Sequence, residues 1–369
     1  MRNPVFMAIV LAAMGFCGAR SESPASGAIC ARCHRAIYEA WKSSAHAQAM
    51  ESSTFQDALA LAEAEFGAGG RKACLGCHAP LAARTGDLAL RNHMSWEGVT
   101  CDYCHSIRRV SVTSGNASVV LDFSGAKSGP TKDSLSTAHE TLFSEVHLSS
   151  QACMACHEYR NPLGFPLLTT YSEWKNSRAG KEGQQCQACH MYLVKGNVVD
   201  PRIRRASGAT VNLHQMPGSH TLEQLTRTIK ANLETRREGG HLKASVVVMN
   251  RTAGHYVPTG SPLRRLVLEV KVDAYDGQRL RAERVYQRIV ADQNGTPVQG
   301  EHTAFFKAAK VLSDTRLAPD EKRTEEFDFA VPAGVSAQVT ATLWYFYSPA
   351  PRTGAQERVT FLSISRLVR

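Results

Sequence analysis

Ten of the eleven cysteines in this 369-residue chain fall into one pattern written five times. The copies are Cys30-Ala31-Arg32-Cys33-His34, Cys74-Leu75-Gly76-Cys77-His78, Cys101-Asp102-Tyr103-Cys104-His105, Cys153-Met154-Ala155-Cys156-His157 and Cys186-Gln187-Ala188-Cys189-His190. Two thiols so spaced add across the two vinyl groups of a porphyrin, and the histidine that follows places an imidazole beneath the iron. This is the attachment chemistry of c-type haem. Five complete copies predict five covalently bound haem c groups, with His34, His78, His105, His157 and His190 on the irons.

Other chemistries account for less of the pattern. A zinc ribbon takes four tetrahedral ligands from two Cys-x-x-Cys pairs, so five pairs leave one over and the histidine unexplained. Ferredoxin-type clusters need tighter cysteine runs than any present here. Disulfide geometry asks for no histidine after every second cysteine.

The elements that must position these groups come next. Nine histidines lie outside the motifs, so one is available for each iron's sixth position. Ile37, Trp41 and Ala45 at i, i+4 and i+8 predict a helix over Arg35 to Met50. His46 then lies about 18 Å beyond His34 along the axis and must serve a different haem. Thr54 to Phe66 is expected to be a scaffold helix ending at Gly67-Ala68-Gly69-Gly70. Val110 to Thr137 has the composition of loop and short strand. A helix is expected over Leu135 to His147, with His139 and His147 about 12 Å apart on neighbouring irons; the alternative is polar surface histidines. The short interval between Cys74 and Cys101 favours adjacent haems. Tyr171 and Trp174 are expected on porphyrin faces, and Arg108 and Arg109 either on propionates or on the surface. Met50, Met94 and Met191 are alternative sixth ligands, although methionine is ordinarily packing material.

Residues 1–19 have the form of a signal peptide: Arg2, a twelve-residue apolar run from Val5 to Phe16, then Gly18-Ala19. The apolar run is too short to span a bilayer. Export to the periplasm or beyond is expected, with plain cleavage favoured over lipid attachment at Cys17. The net charge of +10 is unevenly placed, with 18 Lys+Arg against 16 Asp+Glu in residues 1–199 and 25 against 17 in residues 200–369. Each ferric haem with its two propionates carries about one negative charge, so five offset about half of the excess. No interleaved aromatic and basic stretch points to nucleic acid.

Several segments carry a resemblance. Trp41-x-x-Ser44-x-His46, Glu97-Gly98-Val99-Thr100 before Cys101, Thr170-Tyr171-Ser172-Glu173-Trp174, the fifth motif with Met191, and His214-Gln215-Met216-Pro217-Gly218 resemble multihaem cytochromes c related to the tetrahaem electron acceptor of hydroxylamine oxidoreductase. The resemblance covers about residues 29–235 and implies periplasmic or extracellular electron transfer, with His46, His147 and His214 as distal ligands. This chain has one haem motif more than that group.

Thr221 to Glu238 shows Leu222, Leu225, Ile229 and Leu233 on one stripe, with Thr221 and Gln224 able to form a capping box. A helix closing the haem module is expected there. Past Gly239-Gly240, alternating segments at Leu242–Met249, Leu263–Tyr275, Glu325–Val331, Ala337–Tyr347 and Val359–Val368 predict strands, with Asp276-Gly277 as a hairpin turn. The expected fold is α+β: a mainly helical and irregular haem module over 29–238, then an antiparallel β-sandwich over 241–369. In the loop Gly254-His255-Tyr256-Val257-Pro258-Thr259-Gly260, Gly254 permits close backbone approach and Pro258 stiffens the chain. The loop is similar to ones that follow haem modules in other multihaem cytochromes, which implies His255 as distal ligand to the fifth haem; the alternative is a structural loop histidine.

The expected function is an electron relay through closely packed, mainly bis-histidine haems, between quinol-linked or periplasmic redox proteins. The alternative is an oxidoreductase with one open haem acting on a small nitrogen or sulfur compound. The β-sandwich is a candidate for docking onto an outer-membrane or extracellular assembly. His93 and His220 are further candidate ligands.

Overall fold

The computed structural model describes residues 23–113, 115–203, 210–350 and 355–369. The expected signal peptide and Cys17 lie outside the described residues. The fold is α+β, a haem module of short helices and small strand pairs followed by an antiparallel β-sandwich.

Each motif sits in a short helical turn. Helices Cys101–His105, Gln151–His157 and Cys186–His190 carry the third, fourth and fifth, and helix Ser53–His78 ends on the second. One helical turn puts residues i, i+3 and i+4 on one side, so both thiols and the imidazole face the same way. In helix Ser53–His78 the backbone leaves helical geometry at Gly67, with φ +62°, where the first helix was expected to end. Its apolar face packs Phe55, Leu59 and Leu75 with Met50, Ala79, Ala82 and Leu90.

Three expected helices differ in extent. The one from Arg35 stops at Lys42, and residues 43–51 form turns in which Ser44 Oγ accepts from Ala47 N at 3.1 Å. Serine side chains compete in this way with the backbone ladder. His46 therefore lies on a turn, docked where Val99 N donates to His46 O at 2.9 Å. Gly98, at φ +67°, is required there, since a Cβ would collide with that carbonyl. The segment Leu135–His147 is not helical. Thr141–Phe143 pairs in parallel with Lys127–Gly129, and a 3₁₀ turn covers Glu145–Leu148. Ser136 Oγ accepts from Ala138 N and His139 N, and Thr141 Oγ1 donates to Ser134 O, again displacing helical bonds.

The third correction is the largest. The stripe over Thr221–Glu238 splits into helix Leu222–Thr228 and strand Ile229–Glu238. Thr221 occupies the N-cap position without a side-chain cap bond, and Gln224 accepts from Arg227 instead. A spacing of four, as between Ile229 and Leu233, falls on one face of a helix and of a strand alike. The choice is made by pairing: Ile229–Glu238 runs antiparallel to His241–Asn250 along its whole length, with Gly239 at φ +61° in the turn. Residues 229–238 therefore belong to the β-sandwich and not to the haem module.

One sheet orders Lys322–Ala330, His241–Asn250 and Ile229–Glu238. The other orders Arg279–Tyr286, Arg265–Ala274, Ala337–Ala350 and Ala355–Val368. Leu233, Leu242, Val246, Leu266, Leu268, Val270, Phe327, Val339 and Leu343 fill the space between them. The Asp276-Gly277 turn joins Arg265–Ala274 to Arg279–Tyr286, and Gly277 has φ +95°. Strand Arg279–Tyr286 escapes pattern reading because it is a charged edge strand, with Arg279, Arg281, Glu283 and Arg284 along it. An excursion between the sheets carries helix Glu301–Lys307, which packs on the haem module through a Phe66–Phe306 ring stack at 4.3 Å.

Candidate haem centres

A cavity of about 2900 Å³ runs through the haem module and against the end of the sandwich, and all ten motif cysteines and five motif histidines line it. Pockets for single small ligands reach about 1,000 Å³. The space suits several large planar groups. Thiols of different motifs meet across it: Cys30 with Cys101, Cys77 with Cys156, and Cys153 with Cys186. These contacts set motif one beside three, two beside four, and four beside five. Burial pushes the Cys74 and Cys104 thiols up to about 11.

The imidazoles are prepared for metal. Nδ1–H donates to a backbone carbonyl in His34 (Val198 O, 2.6 Å), His105 (Ser128 O, 2.7 Å), His139 (Glu140 O, 2.9 Å), His190 (Pro217 O, 2.6 Å), His214 (Asn212 O, 2.7 Å) and His255 (Tyr256 O, 2.8 Å). That bond fixes the tautomer and leaves Nε2 with its lone pair. Burial holds His157 down at about 3 and His190 at about 4, so both stay neutral.

Four motif histidines face a second histidine. The ring centroids are 6.2 Å apart for His34 and His139, 6.1 Å for His157 and His46, 6.3 Å for His105 and His214, and 6.4 Å for His190 and His255. An ion held by two imidazole nitrogens at about 2 Å each separates the ring centres by about 6 Å. The residues present therefore fit haem: paired thiols, neutral imidazoles and the room to hold it.

The remaining motif histidine differs. His78 stacks on Phe55 at 3.8 Å and 9°, its buried Nδ1 lacks a hydrogen bond, and among the described residues no second histidine faces it. His147, implied as a distal ligand, is not placed opposite a motif histidine in this way. It stacks on His105 at 5.6 Å, and its Nε2–H donates to Cys104 O at 2.9 Å, so that nitrogen is turned to the backbone. His139 fills a facing position instead. His93 projects into solvent, and His220 stacks on Tyr347 at 4.2 Å within the cavity wall. Met50 is core. Arg108 is spent on Asp122, Ala126 O and Ser128 Oγ, bracing the strand whose Ser128 carbonyl holds His105.

The His255 loop is clamped by a buried network that motif reading missed. Glu173 accepts from Arg316 Nη1 at 2.7 Å, Thr259 Oγ1 at 2.7 Å and Tyr256 N at 3.2 Å, while Arg316 also holds Asp314 at 2.8 Å. Gly254 lies so close to Trp174 and Ala179 that a Cβ would crowd both. Glu173 is an ordinary helix residue in sequence; its role is set by Arg316, which lies just past strand Lys310–Asp314.

The five motifs and the cavity they line fit several covalently held haems. A family model for cytochrome c554 and c-prime matches residues 29–106. The crystal structure of a penta-haem cytochrome c552 from Thermochromatium tepidum matches with a TM-score of 0.71 at 23% identity, covering 94% of this chain and 99% of that one. A structural-genomics target, SoR45, matches with a TM-score of 0.19 at 10% identity over 37% of this chain and 84% of that one, and carries no argument. No curated protein matches the sequence. Among the described residues no helix is long and apolar enough to cross a membrane.

Proposed function

We propose that the chain is an exported five-haem cytochrome that relays electrons between respiratory redox proteins. Haem, when bound, supplies the one-electron chemistry. The chain's residues hold the groups in place: cysteines anchor them, the close approach of motif cysteines sets neighbouring groups side by side, and four histidine pairs close the irons. The carrying observation is the set of four facing pairs at 6.1–6.4 Å. In this reading His139 serves the first motif, His214 the third, His46 the fourth and His255 the fifth, which the facing rings support. Redox proteins on the periplasmic side are the expected partners, and the β-sandwich is the candidate surface for docking to an outer-membrane or extracellular assembly.

His78 favours a second reading. With Phe55 stacked on it and, among the described residues, no second histidine ring facing it, the second motif is the place for an open iron that takes a small nitrogen or sulfur ligand. Intact mass of protein matured with haem-attachment machinery tests the count: five haems are expected, and four or fewer contradict it. Turnover of hydroxylamine, nitrite or sulfite distinguishes catalyst from relay.

A further inference from the structure

Helix Leu222–Thr228 leads from the haem module into the first strand of the sandwich. Its Leu225 is buried in the sandwich core, while Gln224 and Arg227, three positions apart, lie together on another side of the helix and line the haem cavity. Arg227 Nη2 donates to Gln224 Oε1 at 2.6 Å and to Cys189 O at 3.0 Å, and its guanidinium carbon lies 5.4 Å from the centre of the Tyr192 ring. Cys189 is the second thiol of the fifth motif, so this hydrogen bond pins the charge to that motif. None of these contacts supplies a negative charge, and among the described residues no carboxylate pairs with Arg227. Lys127 and Arg178 line the same cavity but are spent on Asp102 and Asp320.

A guanidinium keeps its charge at every pH the protein meets. Against a cavity that large apolar groups fill, its field is screened less than at an open surface. Reduction of a ferric haem adds one electron, so a fixed positive charge beside the group favours the reduced form. We infer that Arg227 holds a positive charge without a protein counter-ion on the fifth motif and raises the reduction potential of the haem attached there. Electrons delivered by a partner protein are thereby drawn toward the end of the relay that abuts the sandwich, where His255 faces His190 at 6.4 Å. The inference rests on the haem reading of the motifs, which intact mass tests separately: a low haem count sinks that reading, whereas a fully loaded protein with unmoved potentials sinks only this one.

The experiment is redox potentiometry of five-haem protein, followed by visible and electron paramagnetic resonance spectra, on wild type, Arg227→Gln, Arg227→Lys and Gln224→Glu. Arg227→Gln keeps an amide donor and removes the charge; Gln224→Glu keeps Arg227 and sets a carboxylate on it. Each of these two is expected to lower the ferrous-to-ferric ratio of one couple about tenfold at fixed potential, which is about 59 mV for one electron. Arg227→Lys, which keeps the charge, is expected to stay within about twofold of wild type. A merely structural Arg227 changes the Tm or haem loading and leaves the potentials of Gln224→Glu at their wild-type values, and a charge without a local target moves all the couples alike. Either result overturns the inference, as does a fall in Arg227→Lys as deep as that in Arg227→Gln. If Arg227→Gln fails to load five haems, Gln224→Glu carries the comparison.

Discussion

His190 and His255 face each other with ring centroids 6.4 Å apart and planes 16° from parallel, one in the fifth haem motif and the other in a loop of the β-sandwich. The sandwich is thereby more than an appended domain, because it places an imidazole in the haem cavity. His255→Ala is expected to convert one haem from low to high spin and to leave the rest of the electron paramagnetic resonance spectrum unchanged. An unaltered spectrum removes His255 from the ligand set.

The loop that carries His255 is held by Glu173 and Arg316, whose side chains are 7% and 8% exposed. Removing Glu173 leaves Arg316 with Asp314 alone, so the cost falls below the about 3–5 kcal/mol of a fully unpaired buried charge. Glu173→Gln is expected to lower the Tm and to raise the high-spin fraction of one haem, because Tyr256 N and Thr259 lose a charged acceptor at the same time. A full low-spin count with an unchanged Tm contradicts the clamp.

Gly98 supports the turn that carries His46. Gly98→Ala must hold a Cβ at φ +67° against the His46 carbonyl, a strain of about 1–3 kcal/mol. The expected readout is a destabilised protein in which one haem, that of the fourth motif, changes its axial spectrum. Wild-type stability and spectrum after this substitution overturn the account of the turn.

Much of the site was legible because covalent chemistry fixes local spacing: each motif is complete in itself and needs no fold to be recognised. That His46, His214 and His255 face motif histidines agrees with the segments around them that suggested them. His139 and His147 were not separable, since their places depend on Thr141–Phe143 pairing with Lys127–Gly129, a contact that no local pattern announces. The sandwich strands showed in their alternation, whereas Ile229–Glu238 did not, because its buried residues satisfy the helical and the extended period together. Glu173 and Phe55 act only through partners from other parts of the chain.

The strand assignment has its own test. Leu233 is 1% exposed inside the sandwich, while Leu222, on the stripe that suggested one long helix, is 52% exposed. Leu233→Ala is expected to cost about 2–5 kcal/mol by cavity formation, and Leu222→Ala to stay within about 0.5 kcal/mol. Equal losses in urea unfolding favour the single helix.

The central claim is that four of five haems are closed by histidine pairs while that of His78 is not. Quantitative electron paramagnetic resonance of the resting ferric protein, with carbon monoxide titration of the reduced form, tests it most directly. The expected result is four low-spin haems and one high-spin haem binding one equivalent of carbon monoxide. Five low-spin haems that bind none, or two or more that bind it, contradict the assignment.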